Sequence, residues 1–248
     1  MNRPRLISLA ISPYNDFARW GLDRSGIEYD EERKPLVWHA IASRRAGGKW
    51  TTPVLVVDGE VVPESAEIVE WADRRGDDPG SLFPGGAEGE QVRALVHRFG
   101  TELGTQVRPL VWVALIEDLP LASRYWAQGL TRREARAQLL LLRLGKPAVR
   151  RALGIRDDTL RTAPAAIREI FDDVAGRLER RSHLAGDRIT AADLSFAAMA
   201  APALLPPEGH PTRYPDPGEL APPVAEVIRE LRAHPAGEYA LRMYREER

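Results

Sequence analysis

The 248-residue sequence contains no cysteine. A disulfide scaffold, a thiolate-ligated zinc and a cysteine nucleophile are therefore excluded, and any nucleophile must be oxygen, nitrogen or part of a bound molecule. A surplus of charge is also missing, since 35 Lys+Arg face 36 Asp+Glu for a formal charge of −1. Nothing in that balance draws the chain to nucleic acid or to an anionic membrane, and neither partner is expected. Long apolar runs are absent as well. The longest, Leu110 to Ile116, falls far short of the roughly 20 residues of a membrane-spanning helix. The N-terminal apolar stretch from Leu6 to Ile11 stops at Ser12-Pro13, too soon for a secretory signal. A cytoplasmic protein is expected. The histidines (His39, His97, His183, His210 and His234) show no paired spacing, so no metal site is expected. Lysine is scarce too, at Lys34, Lys49 and Lys146; the arginine-rich remainder reads as compositional bias.

What is present suits a folded chain of about two domains, with 44% hydrophobic and 29% charged residues giving enough apolar side chains for a sizeable core. Leu6 to Ile11 reads as a buried strand, and Ser12-Pro13 opens a helix that runs to about Ser25, with Phe17, Trp20 and Gly21 on one face. Ile27 to Tyr29 is a second strand and Trp38 to Arg45 a short helix. Val54 to Val57, Asp58-Gly59 and Glu60 to Val62 spell a hairpin, followed by a helix opening at Pro63-Glu64-Ser65 with Ser65 as its cap. A Gly/Pro/Asp-rich stretch then interrupts the pattern. This places the first domain at 1–78, a linker at 79–87 and an all-helical domain at 88–248. In the latter, Val92, Leu95, Val96, Phe99, Leu103, Val107 and Leu110 line a long helix kinked at Pro109. Further helices are expected over 131–144, 164–181, 190–201 and 222–232, with the proline-rich stretch 202–223 as an extended excursion.

Three places carry candidate chemistry. At Ser12-Pro13-Tyr14-Asn15 a hydroxyl sits beside the free amides and positive dipole end of a helix, where an anion is stabilised; a plain N-cap uses the same residues. Were that anion the thiolate of a bound thiol, a pKa lowered from ~8.5 to ~6.5 would leave most of it ionised near neutrality. Thr52-Pro53 stands before the hairpin. A cis bond there would turn the Thr52 amide and carbonyl toward an extended peptide, whereas a trans proline would simply open the strand. Glu64-Ser65 could receive the carboxylate and amine of a free α-amino acid end, or could merely cap a helix. Trp112, Tyr125 and Trp126 read as core aromatics that could also wall a hydrophobic pocket.

Together these segments resemble the glutathione S-transferase family. Ser12-Pro13-Tyr14-Asn15, with Arg19, is similar to the family's active-site turn in its serine form; Thr52-Pro53-Val54-Leu55 is similar to its cis-proline segment, and Glu64-Ser65-Ala66-Glu67-Ile68 to its third motif. In the second half, Gly186 to Leu194 resembles the motif that caps the family's central helix: Thr190 and Asp193 form a capping box, with Ile189 and Leu194 as a hydrophobic staple. The resemblance implies a thioredoxin-like N-terminal domain followed by a helical-bundle C-terminal domain. It also implies glutathione as co-substrate, with Ser12 catalytic and Ser12, Tyr14, Lys49, Thr52, Pro53, Glu64 and Ser65 binding it, a small hydrophobic electrophile, and a homodimer. Two departures stand out. Lys49 lies four residues before Pro53 where relatives place a lysine two before, and Thr52 replaces valine. They leave room for a non-catalytic binding protein of the same fold; glutathione-dependent peroxidase or dehalogenase chemistry is a further alternative.

Overall fold

Hydrophobic Leu6 and Ile7 place β1 (Arg5–Ser8) at the centre of a four-stranded sheet. In the computed structural model, which describes residues 2–152, 154–156 and 158–248, the strand order is β2-β1-β3-β4. β2 (Asp30–Arg33) runs parallel to β1, while β3 (Val54–Val57) and β4 (Glu60–Pro63) complete the sheet in antiparallel fashion. The hairpin is the one the sequence spells: Asp58 and Gly59 both take positive φ, 47° and 85°, as a two-residue turn matched to strand twist requires. The second strand corrects the sequence reading. It lies at Asp30–Arg33, not at Ile27 to Tyr29, because this edge strand is charged and held laterally to β1 by Arg5 on Glu32 at 2.7 Å. Ile27 and Tyr29 instead pack under the sheet.

Between strands come α1 (Pro13–Arg24), α2 (Trp38–Arg45) and, after the hairpin, α3 (Ser65–Arg75). This β-α-β-α-β-β-α order with a mixed sheet is the thioredoxin-like arrangement. Helices follow: α4 (Gly86–Arg98), a π-helical segment Phe99–Leu103, α5 (Gly104–Glu117), α6 (Leu119–Trp126), α7 (Arg132–Ala152), α8 (Thr159–Leu178), α9 (Ala191–Leu204), α10 (Pro222–Ala233) and α11 (Pro235–Glu247). The expected long helix is thus α4 and α5 joined through a π turn that no residue pattern announced. α7 continues past Gly145 and Pro147, where the sequence suggested an end, with Lys146 and Arg150 anchored to Glu117 at 2.6 and 2.7 Å. The proline-rich stretch is shorter than the sequence suggested, since 202–204 belong to α9 and 222–223 to α10; between them the one helical turn is the 3-10 turn Pro217–Glu219, where Tyr125 and Arg124 hold Glu219.

Two cores meet at α1. Ala18 and Leu22 join Leu6, Leu55 and Trp71 beneath the sheet, while Phe17 and Trp20 join the large core of the helical half. The helix is consequently buried almost all round, where the sequence suggested a single buried face. Opposite it stands α9, every residue of which is buried. Its start is fixed as the capping motif requires: the Asp193 carboxylate accepts from the Thr190 amide at 2.8 Å, the Thr190 hydroxyl at 2.9 Å and the Leu184 amide at 2.8 Å.

Full burial forces the polar residues of α1 to find partners inside. Asp16 is enclosed by Tyr244, whose hydroxyl donates to it, by His210 with Nε2 at 3.2 Å, and by Arg248 at 3.8 Å. Burial alone would raise the Asp16 carboxyl, but His210, Arg248 and Arg19 outweigh it and hold the group well below the usual carboxylate range. A depressed folded-state pKa contributes stability that is complete above the unfolded value of about 3.9 and is lost as pH falls toward the folded one. Asp16→Ala should therefore cost about 3–5 kcal/mol at neutral pH, since it strands buried partners, and the gap to wild type should narrow below about pH 4. Urea unfolding across pH measures both; equal stabilities at neutral pH would contradict the assignment.

Candidate functional site

β1 ends at Ser8, and the chain crosses to α1 over four residues whose course is set by a buried cation. Arg19 reaches back from α1 to the Leu9 carbonyl at 3.1 Å and the Ala10 carbonyl at 3.4 Å, while its Nε donates to Glu31 at 2.7 Å. Burial works against the Glu31 charge, yet Arg19, the Ser8 hydroxyl at 2.5 Å and Arg33 hold its carboxyl below the ordinary range. Ser12 then occupies the N-cap position with extended backbone, φ −149° and ψ 124°, and Pro13 begins the helix. The Ser12 side chain makes no capping hydrogen bond. Pro13 has no amide proton to satisfy, which lessens the need for one. Asn15, which could have competed for those amides, turns away: its Nδ2 donates to Thr52 Oγ1 at 3.4 Å.

The Thr52-Pro53 peptide is cis. Thr52 takes part in none of the main-chain turn and loop hydrogen bonds formed among the described residues. Glu64 follows with φ 71° and ψ 135°, a conformation that costs a non-glycine residue of order 1–3 kcal/mol and marks a position the surroundings must enforce. It, and not Ser65, is the N-cap of α3; Ser65 is the first helical residue and is buried. One Glu64 oxygen lies 2.8 Å from Lys49 Nζ. That carboxylate raises the Lys49 ammonium above its usual range.

These turns open on one cavity of about 660 Å³. Ser12, Tyr14, Thr52, Pro53, Glu64 and Ser65 all line it; Lys49 does not, reaching it only through Glu64. The facing wall belongs to the α4–π–α5 helix and to α9. Along the former, His97, Thr101, Thr105, Arg108 and Trp112 recur at three- and four-residue steps, one stripe down the flank beside the apolar stripe that fills the core. The sequence reading singled out only Trp112 from this wall; the same periodicity, followed one column over, would have found the rest. His39, Ser195 and Met199 were also missed. Trp112 stacks on Trp126 with ring centroids 3.8 Å apart. Tyr125 is elsewhere, bonded to Glu219.

The cavity walls are joined by Tyr14. Its hydroxyl donates to the Gly100 carbonyl at 2.7 Å, within the π segment. Burial, opposed by Arg108, raises the Tyr14 phenol, so it is a neutral donor at physiological pH. Close approach requires Gly104, where a Cβ would meet the Tyr14 hydroxyl at 2.6 Å and Met199 Sδ at 3.0 Å. Among the described residues, Arg108 Nε and Ser195 Oγ are buried polar atoms on cavity residues that have no partner. Burial lowers the His39 imidazole, keeping it neutral near pH 7. Such orphans are rare in native interiors and suit a cavity that receives a polar molecule. No group of three or more His, Asp or Glu among the described residues is placed to hold a metal.

Residues 11–75 match the family model for the glutathione S-transferase N-terminal domain. No curated protein sequence matches the chain. Among solved structures, a glutathione S-transferase from Sinorhizobium meliloti is 21% identical, with 96% of this chain and 92% of that one covered and a TM-score of 0.60. The β-etherase LigF from Sphingobium sp. is 16% identical, covering 96% and 98%, with a TM-score of 0.60. FzlA from C. crescentus is 18% identical, covering 96% and 91%, with a TM-score of 0.59. The chain thus has the glutathione S-transferase fold.

The Tyr14–Gly104 contact makes a testable pair. Gly104→Ala should push the hydroxyl off Gly100 and destabilise the protein by about 1–3 kcal/mol. In a Tyr14→Phe background the same change should cost less, giving a coupling of at least about 0.5 kcal/mol in a double-mutant cycle of urea unfolding. Additive costs would show that the two residues do not constrain each other.

Proposed function

We propose that the chain is a glutathione transferase that ionises the thiol of glutathione against Ser12 and directs it at a hydrophobic electrophile. The carrying observation is the Ser12 hydroxyl, placed on the cavity wall at the start of α1 and not engaged in capping that helix. In this reading the thiol releases its proton to solvent and the Ser12 O–H donates to the resulting thiolate, aided by the positive end of the α1 dipole. Sulfur then attacks the electrophilic carbon; a C–S bond forms and the leaving group departs with its bonding pair, as chloride does from an aryl chloride. Holding both reactants in one cavity supplies the proximity.

The remaining contacts follow the turns. The Thr52 amide and carbonyl pair with the cysteinyl main chain of the tripeptide. Ser65 and the amides opening α3 receive the γ-glutamyl carboxylate, with Glu64 beside its amine. Lys49, tied to Glu64, takes the glycyl carboxylate at the cavity edge. Tyr14 acts as a positioning residue that ties α1 to the facing helix. Residues 1–78 form the thiol-binding domain, 79–87 the linker and 88–248 the electrophile-binding domain of a cytoplasmic homodimer, as the family resemblance implies. No helix among the described residues is long and apolar enough to cross a membrane.

A second reading, a binding protein of this fold without turnover, is favoured by one observation: Lys49 is ion-paired with Glu64 and absent from the cavity lining. Calorimetry and kinetics separate the two. Under the main reading glutathione binds with millimolar or tighter affinity. Ser12→Ala lowers kcat for a chlorodinitrobenzene by about 10- to 100-fold, the worth of one hydrogen bond to a charged sulfur, with little change in KM. Unchanged kcat in the variant would remove Ser12 from the mechanism, and glutathione binding without any conjugation would favour the second reading.

A further inference from the structure

We infer that the acceptor half of the cavity is built for a planar aromatic molecule bearing a carboxylate, and that Arg108 receives the anionic group. The inference rests on the conjugation reading above and names the class of electrophile for that site. Arg108 is the one arginine or lysine among the described residues lining the cavity. No hydrogen bond or ion pair involves its guanidinium among the described residues, and its Nε is buried without a partner. Other partly or fully buried arginines of this protein are answered. Arg19 has Glu31 at 2.7 Å, Arg98 has Asp173 at 2.6 Å, and Arg232 donates to the Leu204 and Leu205 carbonyls at 2.6 and 2.5 Å.

Arg108 is partly exposed, but its Nε is shut off from water with nothing among the described residues to accept from it, a cost recovered when an anion enters the cavity it lines. The carboxylates that share the cavity do not serve: Glu64 is engaged by Lys49, and Glu67 is exposed at its rim. His39 is held neutral by its burial and adds no competing cation. Trp112, four residues on and so on the same helix flank, is fixed against Trp126 and offers an apolar wall for a flat ring. Arg108 lies within electrostatic reach of Tyr14, and both line the same cavity as Ser12 and Trp112. The rigid donor fork of arginine matches a carboxylate in a way that an ammonium does not.

The test uses dinitrobenzoate and its methyl ester, a pair that differs in charge, bound to the full-length protein without glutathione and followed by calorimetry. Wild type should prefer the carboxylate by about tenfold or more; Arg108→Met should abolish the preference and Arg108→Lys should keep part of it, with circular dichroism confirming that all three fold. With glutathione present, the kcat/KM ratio of chlorodinitrobenzoate to its methyl ester, each divided by its uncatalysed rate, should fall about 10- to 100-fold in Arg108→Met. No preference in wild type, or a preference that survives Arg108→Met, would overturn the inference. So would a loss of glutathione affinity in Arg108→Met as large as the loss of carboxylate preference, because Arg108 would then belong to the tripeptide. A wild type that prefers the carboxylate through Arg108 but does not bind glutathione would instead overturn the conjugation reading and support the anion site.

Discussion

The burial of α1 on both flanks is the constraint on which the rest depends. A helix at the edge of a small sheet could pivot; this one is wedged between the sheet core at Ala18 and Leu22 and the helical core at Phe17 and Trp20. Gly21 permits the closeness, since a Cβ there would meet Val69 of α3 at 2.6 Å. Sealing the helix in this way leaves its polar side chains no water, so Arg19 is answered by Glu31 and the loop carbonyls, and Asp16 by the C-terminal groups. Those buried polar contacts add directionality to an otherwise non-directional apolar fit. Their consequence is that Ser12 and Tyr14, at the free end of α1, are aimed by interactions from both halves of the chain.

The facing wall is organised by an irregularity. A π turn in the middle of a long helix breaks the regular hydrogen-bond register, and here the Gly100 carbonyl within it accepts the Tyr14 hydroxyl. The cavity lies beside this clasp, bounded by the cis-proline turn and the start of α3 on one side and by the His97-to-Trp112 stripe on the other. Pre-formed walls of that kind cost a ligand little reorganisation on entry. The polar atoms left without partners on them are a reserve of hydrogen bonding that a solvent-filled groove satisfies only with water.

How much of this is written locally in the sequence depends on whether the controlling interaction is local. The hairpin was legible because Asp58-Gly59 dictates its own backbone, and the start of α9 because Thr190 and Asp193 satisfy each other within one turn. Ser12, Thr52, Pro53, Glu64 and Ser65 were assembled by the spacing of three turns that one family resemblance ties together, and they do share a cavity. What escaped was decided at long range. The charged strand Asp30–Arg33 has no apolar pattern and exists because β1 lies beside it with Arg5. The burial of Asp16 and Arg19 depends on partners distant in sequence or in another strand, which the local pattern of α1 does not reveal. The absence of a counter-ion at Arg108 is a property of its surroundings, which no local spacing encodes.

The central claim is that a thiolate is stabilised at Ser12, and the ionisation of the bound thiol is its most direct measure. Free cysteine thiols titrate near 8.5, so at saturating glutathione the ultraviolet absorbance of the thiolate in the wild-type complex should titrate with a midpoint about two units lower, moving back toward the free value in Ser12→Ala. A bound thiol that titrates in wild type as it does in water would contradict the account.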